Sequence, residues 1–238
     1  MRYAIFADSH GNLEALEAAL EYSRKHRLSR FLVLGDSIGY GANPNECLAW
    51  ALEHGAPHVL GNHEAAILHE ESRKAFEGWA REAIDWTAER LRPELIEKLR
   101  KLPVLQQEGN LTLAHGTIHN PEEFYYLFDE IDAYKSFLAL KTTFGLVGHS
   151  HVPCFFNEAK KTGGRLEEGV LKLHRNERYL LNPGSIGQPR DGDSRLSFGI
   201  MDTDELTFEI VRLPYDNKKA SGKILAEGLP PSLAYRLL

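Results

Sequence analysis

The sequence predicts an α/β fold in which a largely parallel sheet forms first, the second half adds antiparallel strands, and helices cover the flanks. Short apolar runs alternate with helix-periodic segments from Tyr3 to Leu60, the order of parallel strands joined by right-handed crossovers. Beyond Val152 short alternating runs stand between turn residues, which marks antiparallel pairing. Each early run also ends in Asp, Gly or His, as a buried strand does on reaching the rim of its sheet.

Taken in order, Tyr3 to Ala7 is the first strand. Leu13, Leu16, Ala19 and Leu20 then recur at helix spacing behind Asn12, an N-cap residue. Phe31 to Leu34 is the second strand. In Asn43-Pro44-Asn45-Glu46 a capping box opens the second helix, with Pro44 at its first position and Glu46 reaching back. His58 to Leu60 is the third strand. Residues 65–101 are helical in pattern, with Phe76, Trp79, Ala83 and Trp86 on one face and Pro93 opening a further helix. That aromatic face packs on the sheet's flank or joins two copies of the chain in a homo-oligomer. Leu111 to Ala114 and Phe144 to Val147 are further strands of the sheet. Val152 to Phe156, Val170 to Leu173, Tyr179 to Leu181, Leu196 to Met201 and Leu206 to Val211 follow, separated by turns such as Thr162-Gly163-Gly164 and Asp202-Thr203-Asp204. Gly228-Leu229-Pro230-Pro231 breaks a C-terminal helical segment. No repeat or linker divides the chain, so residues 1–238 are expected to form one domain.

Composition narrows the function. The chain has 238 residues, 42% hydrophobic and 26% charged, enough for a sizeable core. Its net charge of −6 and lack of a Lys/Arg run argue against long nucleic acid as a partner. No apolar run is long enough for a signal peptide or a membrane span, so a soluble cytoplasmic protein is expected, without a membrane partner. Cys47 and Cys154, the only cysteines, read as reduced packing thiols.

The chemistry lies at the strand ends. The five early runs are followed by Asp8-Ser9-His10, Gly35-Asp36, Gly61-Asn62-His63-Glu64, His115-Gly116 and Gly148-His149-Ser150-His151. Taken singly, each is an ordinary cap, turn or surface histidine. In an open α/β sheet, however, ligands gather at the carboxyl ends of the strands, so all five converge on one rim. The donors are oxygen and imidazole, which suit Mn²⁺, Fe, Zn²⁺ or Ni²⁺.

These motifs, standing as DSH, GDS, GNHE, AHG and GHSH, resemble the series of the calcineurin-like metallophosphoesterases. GDSIGYGANPNEC, LLNPGSIGQPRDGDSRLSFGIMD, LPYDNKKA and GLPPSLAYRLL look like a bacterial branch usually described as related to diadenosine tetraphosphatases and phosphodiesterases. The resemblance implies a four-layer sandwich of two packed mixed β-sheets flanked by helices. It also implies a dinuclear centre of two divalent metal ions, Mn²⁺ foremost. Asp8, His10, Asp36 and His151 would hold one ion, and Asp36, Asn62, His115 and His149 the other, with Asp36 shared. If residues 148–151 are extended, His149 and His151 aim the same way and serve one ion each. A hydroxide bridging the ions would attack phosphorus. Four cationic charges, less two carboxylates and that hydroxide, leave one positive charge for the substrate, which explains a neutral Asn62. His63 is next to a ligand without being one, and is assigned as the general acid.

The activity so implied is hydrolysis of small phosphodiesters or nucleotide pyrophosphate links. Ile38-Gly39-Tyr40-Gly41 follows Asp36 where the protein serine/threonine phosphatases carry Asp-Arg-Gly, which argues against phosphoprotein substrates. A phosphomonoesterase or protein phosphatase of the same fold, and a non-enzymatic metal-bound scaffold or regulator, are the alternatives. Asn12 at the first helix, Tyr40 and Tyr125 as stacking rings, and Arg190 with Arg195 as a clamp on a second phosphate are the candidate substrate contacts. Capping by Asn12, edge packing of the tyrosines and surface pairing of the arginines with Asp191 or Asp193 are the structural alternatives. His26, His54, His58, His69, His119 and His174 are read as structural or exposed, with His119 standing close to His115.

Overall fold

The computed structural model describes residues 1–238, the side chain of Ala56 excepted. In chain order the elements are β1 (Arg2–Phe6), α1 (Leu13–Lys25), β2 (Phe31–Val33), α2 (Pro44–His54), β3 (Gly55–His58), α3 (Asn62–Leu68), α4 (Glu70–Lys74), α5 (Gly78–Arg90), α6 (Pro93–Leu99), β4 (Leu105–Glu108), β5 (Leu111–Ala114), α7 (Glu130–Ala139), β6 (Phe144–Leu146), β7 (Cys154–Asn157), β8 (Thr162–Arg165), β9 (Gly169–Lys172), β10 (Tyr179–Asn182), β11 (Leu196–Asp202), β12 (Thr207–Leu213), α8 (Asn217–Ala226) and α9 (Pro231–Tyr235). They build two six-stranded mixed sheets, ordered β3-β2-β1-β11-β12-β9 and β4-β5-β6-β10-β7-β8. The parallel pairs are β1 with β2, β2 with β3, β5 with β6 and β6 with β10.

Alternation along each strand decides the layering. Tyr3 and Ile5 of β1 face the second sheet and pack with Leu111, Leu113, Phe144, Leu146, Tyr179 and Leu181. Ala4 and Phe6 face the other way, onto Leu16 and Ala19 of α1. On the far side Leu180 of β10 meets Ala133 and Phe137 of α7. The order is therefore helix, sheet, sheet, helix. Among the described residues no helix is long and apolar enough to cross a membrane.

Several expectations need correction. Thr162-Gly163-Gly164 is not a turn but part of edge strand β8, which pairs antiparallel with β7. Strand β4, with its polar sequence LQQE, was not anticipated. The capping box at Asn43 does not form, because its Oδ1 accepts instead from Lys223 Nζ at 2.9 Å. The aromatic face of α5 is largely spent within the chain, with Trp79 and Trp86 packing against the cluster of Ala220, Ile224, Leu229 and Leu233 from the C-terminal segment. Exposed apolar side chains gather instead at Phe128, Ile131, Tyr134 and Leu138.

His58 at the end of β3 is fully enclosed, and neither ring nitrogen has a partner. Burial alone pushes its pKa down from 6.5 to about 3. Between those values the unfolded chain takes up a proton that the folded chain refuses, so stability falls as pH drops from 6.5 toward 3. The loss reaches about 4–5 kcal/mol. His58→Leu is expected to remove this acid-sensitive component and to raise stability at pH 5, as measured by urea unfolding across that range.

Candidate metal centre

The loops that follow β1, β2, β3, β5 and β6 meet at one rim, and backbone hydrogen bonds lace them together. Asp8 N donates to Gly35 O at 3.2 Å, His10 N to Asp36 O at 2.9 Å, and Gly148 N to His115 O at 2.8 Å. Five of the seven residues expected to bind metal, Asp8, His10, Asp36, His149 and His151, have left-handed backbone with φ between 46° and 66°. Such residues each cost on the order of 1–3 kcal/mol and persist only where the surroundings impose them. His149 and His151 therefore do not lie on an extended segment. Even so, the turn sends them to different neighbours: His151 to His10 and Asp8, His149 to His115 and Asp36.

Backbone carbonyls, which can only accept, settle where the ring protons are. His10 Nδ1 lies 2.9 Å from Ile38 O, His115 Nδ1 2.6 Å from Leu34 O, and His151 Nδ1 2.5 Å from Gln188 O. Each Nδ1 must be the donor, which leaves Nε2 as a bare lone pair when the ring is neutral. Yet His10 Nε2 and His151 Nε2 face one another at 3.1 Å. His115 Nε2 faces Asn62 Oδ1 at 3.0 Å, His149 Nδ1 at 3.0 Å and Asp36 Oδ2 at 3.1 Å. Lone pairs converge in this way where a cation belongs between them. Burial opposes charge on His115, but Asp36 and Asp8 outweigh it and raise the pKa to about 9, so proton and metal compete for that nitrogen. Burial and neighbouring imidazoles drive His10 and His149 the other way, well below 6.5.

The carboxylates are anchored on one side and free on the other. Asp36 Oδ1 accepts from His63 N at 2.9 Å, which turns Oδ2 toward His115 and toward His10, 3.7 Å away. Asp8 Oδ2 accepts from His149 N at 3.1 Å, while Oδ1, 3.3 Å from His151 Nε2, is buried without a hydrogen-bond partner. Glu64 was given no role by the sequence, although its spacing from Gly61 is that of a residue reaching back to a helix start. Its carboxylate accepts from Asp36 N, Ser37 N and Gly61 N at 2.8, 2.7 and 3.1 Å, fixing the loop that carries Asp36.

Of the other candidates, His63 is at the centre, its Nε2 3.9 Å from Asp36 Oδ2 and its ring enclosed by His10, Tyr40 and Phe76. A Cβ on Gly39 would run into His63 Nδ1, so only glycine lets the ring sit there. Tyr40 is buried against His10 and His63 at 4.5 Å. Arg190 is beside Tyr40, its Cζ 5.9 Å from the ring centroid. Three expectations fail. Asn12 caps α1 through Ala15 N and spends its amide on Gly187 O and Tyr215 OH, leaving nothing for a substrate. Arg195 is engaged by Asp193 and Glu168. Tyr125 does not reach the centre; its neighbour Tyr126 does, stacked on His149 at 3.9 Å. His119 bonds Ser136 and stays outside. A cleft of about 460 Å³ opens over the centre, lined by Tyr40, Asn62, Phe76, Phe124, Tyr126 and His149 among others.

Two mixed sheets packed face to face, with Asp and His side chains gathered on their shared rim, are the architecture of the metallophosphoesterases. Residues 1–206 match the calcineurin-like phosphoesterase superfamily domain, and the chain belongs to that superfamily. An uncharacterized protein of Methanocaldococcus jannaschii is 37% identical over 98% of this chain and 96% of its own length. A metallophosphoesterase from Sphaerobacter thermophilus is 35% identical with a TM-score of 0.90, covering 100% of this chain and 98% of that one. A hypothetical protein from Pyrococcus horikoshii shares the fold at TM-score 0.79 and 20% identity, over 99% and 97%.

Glu64→Ala leaves three buried amides without an acceptor, which costs about 3 kcal/mol or more. Loosening Asp36 is expected to weaken divalent-cation binding at this rim by roughly 10–100-fold. Urea unfolding and calorimetric metal titration measure the two effects, and Glu64→Gln, which keeps one acceptor oxygen, is expected to fall between Ala and the native chain.

Proposed function

We propose that the chain is a dinuclear metal-dependent phosphoesterase that hydrolyses small phosphodiesters or nucleotide pyrophosphate links, with His63 as the general acid. The observation that carries this is the pair of Nε2 lone pairs of His10 and His151 held face to face beside two half-anchored carboxylates, with His115 and His149 meeting across Asp36, a donor set that fits divalent cations. Asp8, His10, Asp36 and His151 would hold one ion, and Asp36, Asn62, His115 and His149 the second, with Asp36 Oδ2 facing both groups. When bound, such ions supply Lewis acidity at phosphorus and a strong nucleophile at neutral pH. Mn²⁺ is the first choice, with Fe, Zn²⁺ or Ni²⁺ as alternatives.

The chain's own residues do the rest. Backbone carbonyls of Ile38, Leu34 and Gln188 keep three imidazoles in one tautomer. Tyr40, Phe76 and Gly39 confine His63 and keep water off its ring. Burial lowers the His63 pKa to about 4, with Asp36 partly opposing. The ring is therefore neutral near pH 7 in the free chain, and in the role of general acid it would take up its proton as the anionic phosphate arrives beside it, since a nearby negative charge favours the imidazolium. Arg190 holds a guanidinium beside Tyr40 for a phosphate oxygen.

Hydrolysis of bis(p-nitrophenyl) phosphate, a methyl nucleoside phosphodiester and a dinucleoside polyphosphate by the Mn²⁺-loaded protein tests the proposal. Asp36→Asn is expected to abolish turnover and to lower bound metal, assayed by elemental analysis. His63→Ala is expected to lower kcat by roughly 10²–10⁴ for the poor alkoxide leaving group. With p-nitrophenolate, which leaves without a proton, the loss is expected to be under about tenfold. Two bound metal equivalents without turnover of any ester would overturn the assignment and favour a scaffold.

A further inference from the structure

Three of the four imidazoles expected to bind metal are aimed by a backbone carbonyl, and His149 is not. Ile38 O, Leu34 O and Gln188 O fix the rings of His10, His115 and His151. Among the described residues the His149 ring has one hydrogen-bonding neighbour, His115 Nε2 at 3.0 Å from its Nδ1, and no oxygen is bonded to its other nitrogen. Its backbone is pinned, since His149 N donates to Asp8 Oδ2 at 3.1 Å. The side-chain torsions beyond that are left to packing. What packs there is Tyr126. The two ring centroids are 3.9 Å apart and the planes only 18° from parallel, a face-to-face contact that fixes the plane of the imidazole. Phe128 lies 4.7 Å from Tyr126 at 8°, so three rings stand in one stack that runs from the candidate ligand out to solvent.

Residues 124–128 are seated for this contact from both sides. Leu127 is buried in the cluster of Ala114, Ala133, Val147 and Phe156, while Tyr126 and Phe128 on either side of it reach the surface. Val147 stands two residues before His149, so one apolar cluster seats both the segment and the approach to the His149 turn. Tyr125 O accepts from Thr117 N at 2.9 Å. The crossing is close: a Cβ on Gly116 would stand 2.6 Å from Tyr125 O and 2.8 Å from the carbonyl carbon of Phe124, backbone atoms that cannot swing aside. Gly116, directly after His115, therefore lets the segment lie across the rim, a demand on the sequence that ligation by His115 does not itself make. Phe124 meets His115 edge-on with centroids 6.0 Å apart. The segment thus sets one ring against each imidazole of the group of Asp36, His115 and His149. Among the described residues none of its rings lies against His10 or His151, whose aromatic neighbours are Tyr40, His63 and each other.

We infer that Tyr126 is a positioning residue for His149: stacked on the ring, it holds Nδ1 toward His115 and Asp36, as a carbonyl aims each of the other three imidazoles. The inference rests on the metal-centre reading and adds a difference between its two sites. The ligands His10 and His151 of one site are aimed by carbonyls, whereas the site of Asp36, His115 and His149 depends on a ring carried by a loop. Residues that orient a ligand tune the affinity of its metal, so Tyr126 acts on one site and not on the other. The ring face does this and the hydroxyl does not, since among the described residues Tyr126 OH makes no hydrogen bond. Phenylalanine is therefore expected to serve in its place. Leucine, which keeps apolar bulk but has no flat face, is expected to fail. Tyr126 is 39% exposed, so neither replacement opens a cavity in the core.

Calorimetric titration of Mn²⁺ into the metal-free native chain, Tyr126→Phe and Tyr126→Leu, with imidazole NMR spectra of the same metal-free proteins, tests this. Two binding steps are expected in the native chain. Tyr126→Leu is expected to weaken one step by roughly 3–10-fold and to leave the other within about twofold, and Tyr126→Phe to match the native chain at both. In the metal-free spectra the ring protons of His149 lie over the face of Tyr126 and are expected upfield of their usual positions. Tyr126→Phe is expected to keep that shift and Tyr126→Leu to lose it, with the rings of His10, His115 and His151 unmoved. Equal weakening of both steps would mean that Tyr126 supports the rim as a whole. Loss of the ring shift with both steps unchanged would mean that His149 needs no aiming. An unchanged His149 spectrum in Tyr126→Leu would mean that the stack does not persist in solution. Any of these three overturns the inference and leaves the metal centre standing, whereas a native chain that takes up no Mn²⁺ overturns the metal-centre reading itself and the positioning role with it.

Discussion

Three backbone carbonyls, those of Leu34, Ile38 and Gln188, take the ring protons of His115, His10 and His151, and the rest of the site depends on this. With those protons committed outward, the remaining nitrogens point inward as lone pairs toward Asp8 and Asp36, an arrangement that only a cation or a trapped proton relieves. The carbonyls belong to the chain after β2 and to the loop before β11. The two sheets must therefore pack in their observed order before the imidazoles can be aimed. Tyr3, Ile5, Leu111, Phe144 and Tyr179 in the shared core thus act on the chemistry by holding two rims in register.

The left-handed residues show what that aiming costs and how it is offset. Asp8, His10, Asp36, Tyr40, His149 and His151 all sit where a side chain is disfavoured. Glu64, buried and accepting three amides, and the backbone bonds between the β1 and β2 loops bind the strained segments to one another. The folding energy of the two sheets is thereby drawn on to hold a geometry that an isolated loop would not adopt.

Much of this was legible in the sequence because the strands are apolar, short and closed by conspicuous residues. The rim position of Asp8, Asp36, Asn62, His115 and His149 follows from strand order alone. What escaped depends on contacts between distant segments. Strand β8 escaped because two glycines in four residues read as a turn, and β4 because a partly exposed edge carries no apolar alternation. Tyr126 rather than Tyr125 reaches His149 because Asn120 and Phe124, both left-handed, rotate the loop, and no local pattern announces that. Arg195 and Arg236 are alike in sequence terms. Only the fold shows that Asp193 neutralises one while α9 carries the other to Trp79.

The match to the superfamily domain ends at residue 206, whereas Trp79 is walled by α8, α9 and the residues around them. The metal-facing rim and the cleft lining thus lie within the match, and only the packing behind Trp79 comes from beyond it. Substitutions in the later stretch can shift Trp79 without touching the strained loops at the centre. The packing behind the cleft can in this way change through the final helices while the strained loops at the rim keep their places.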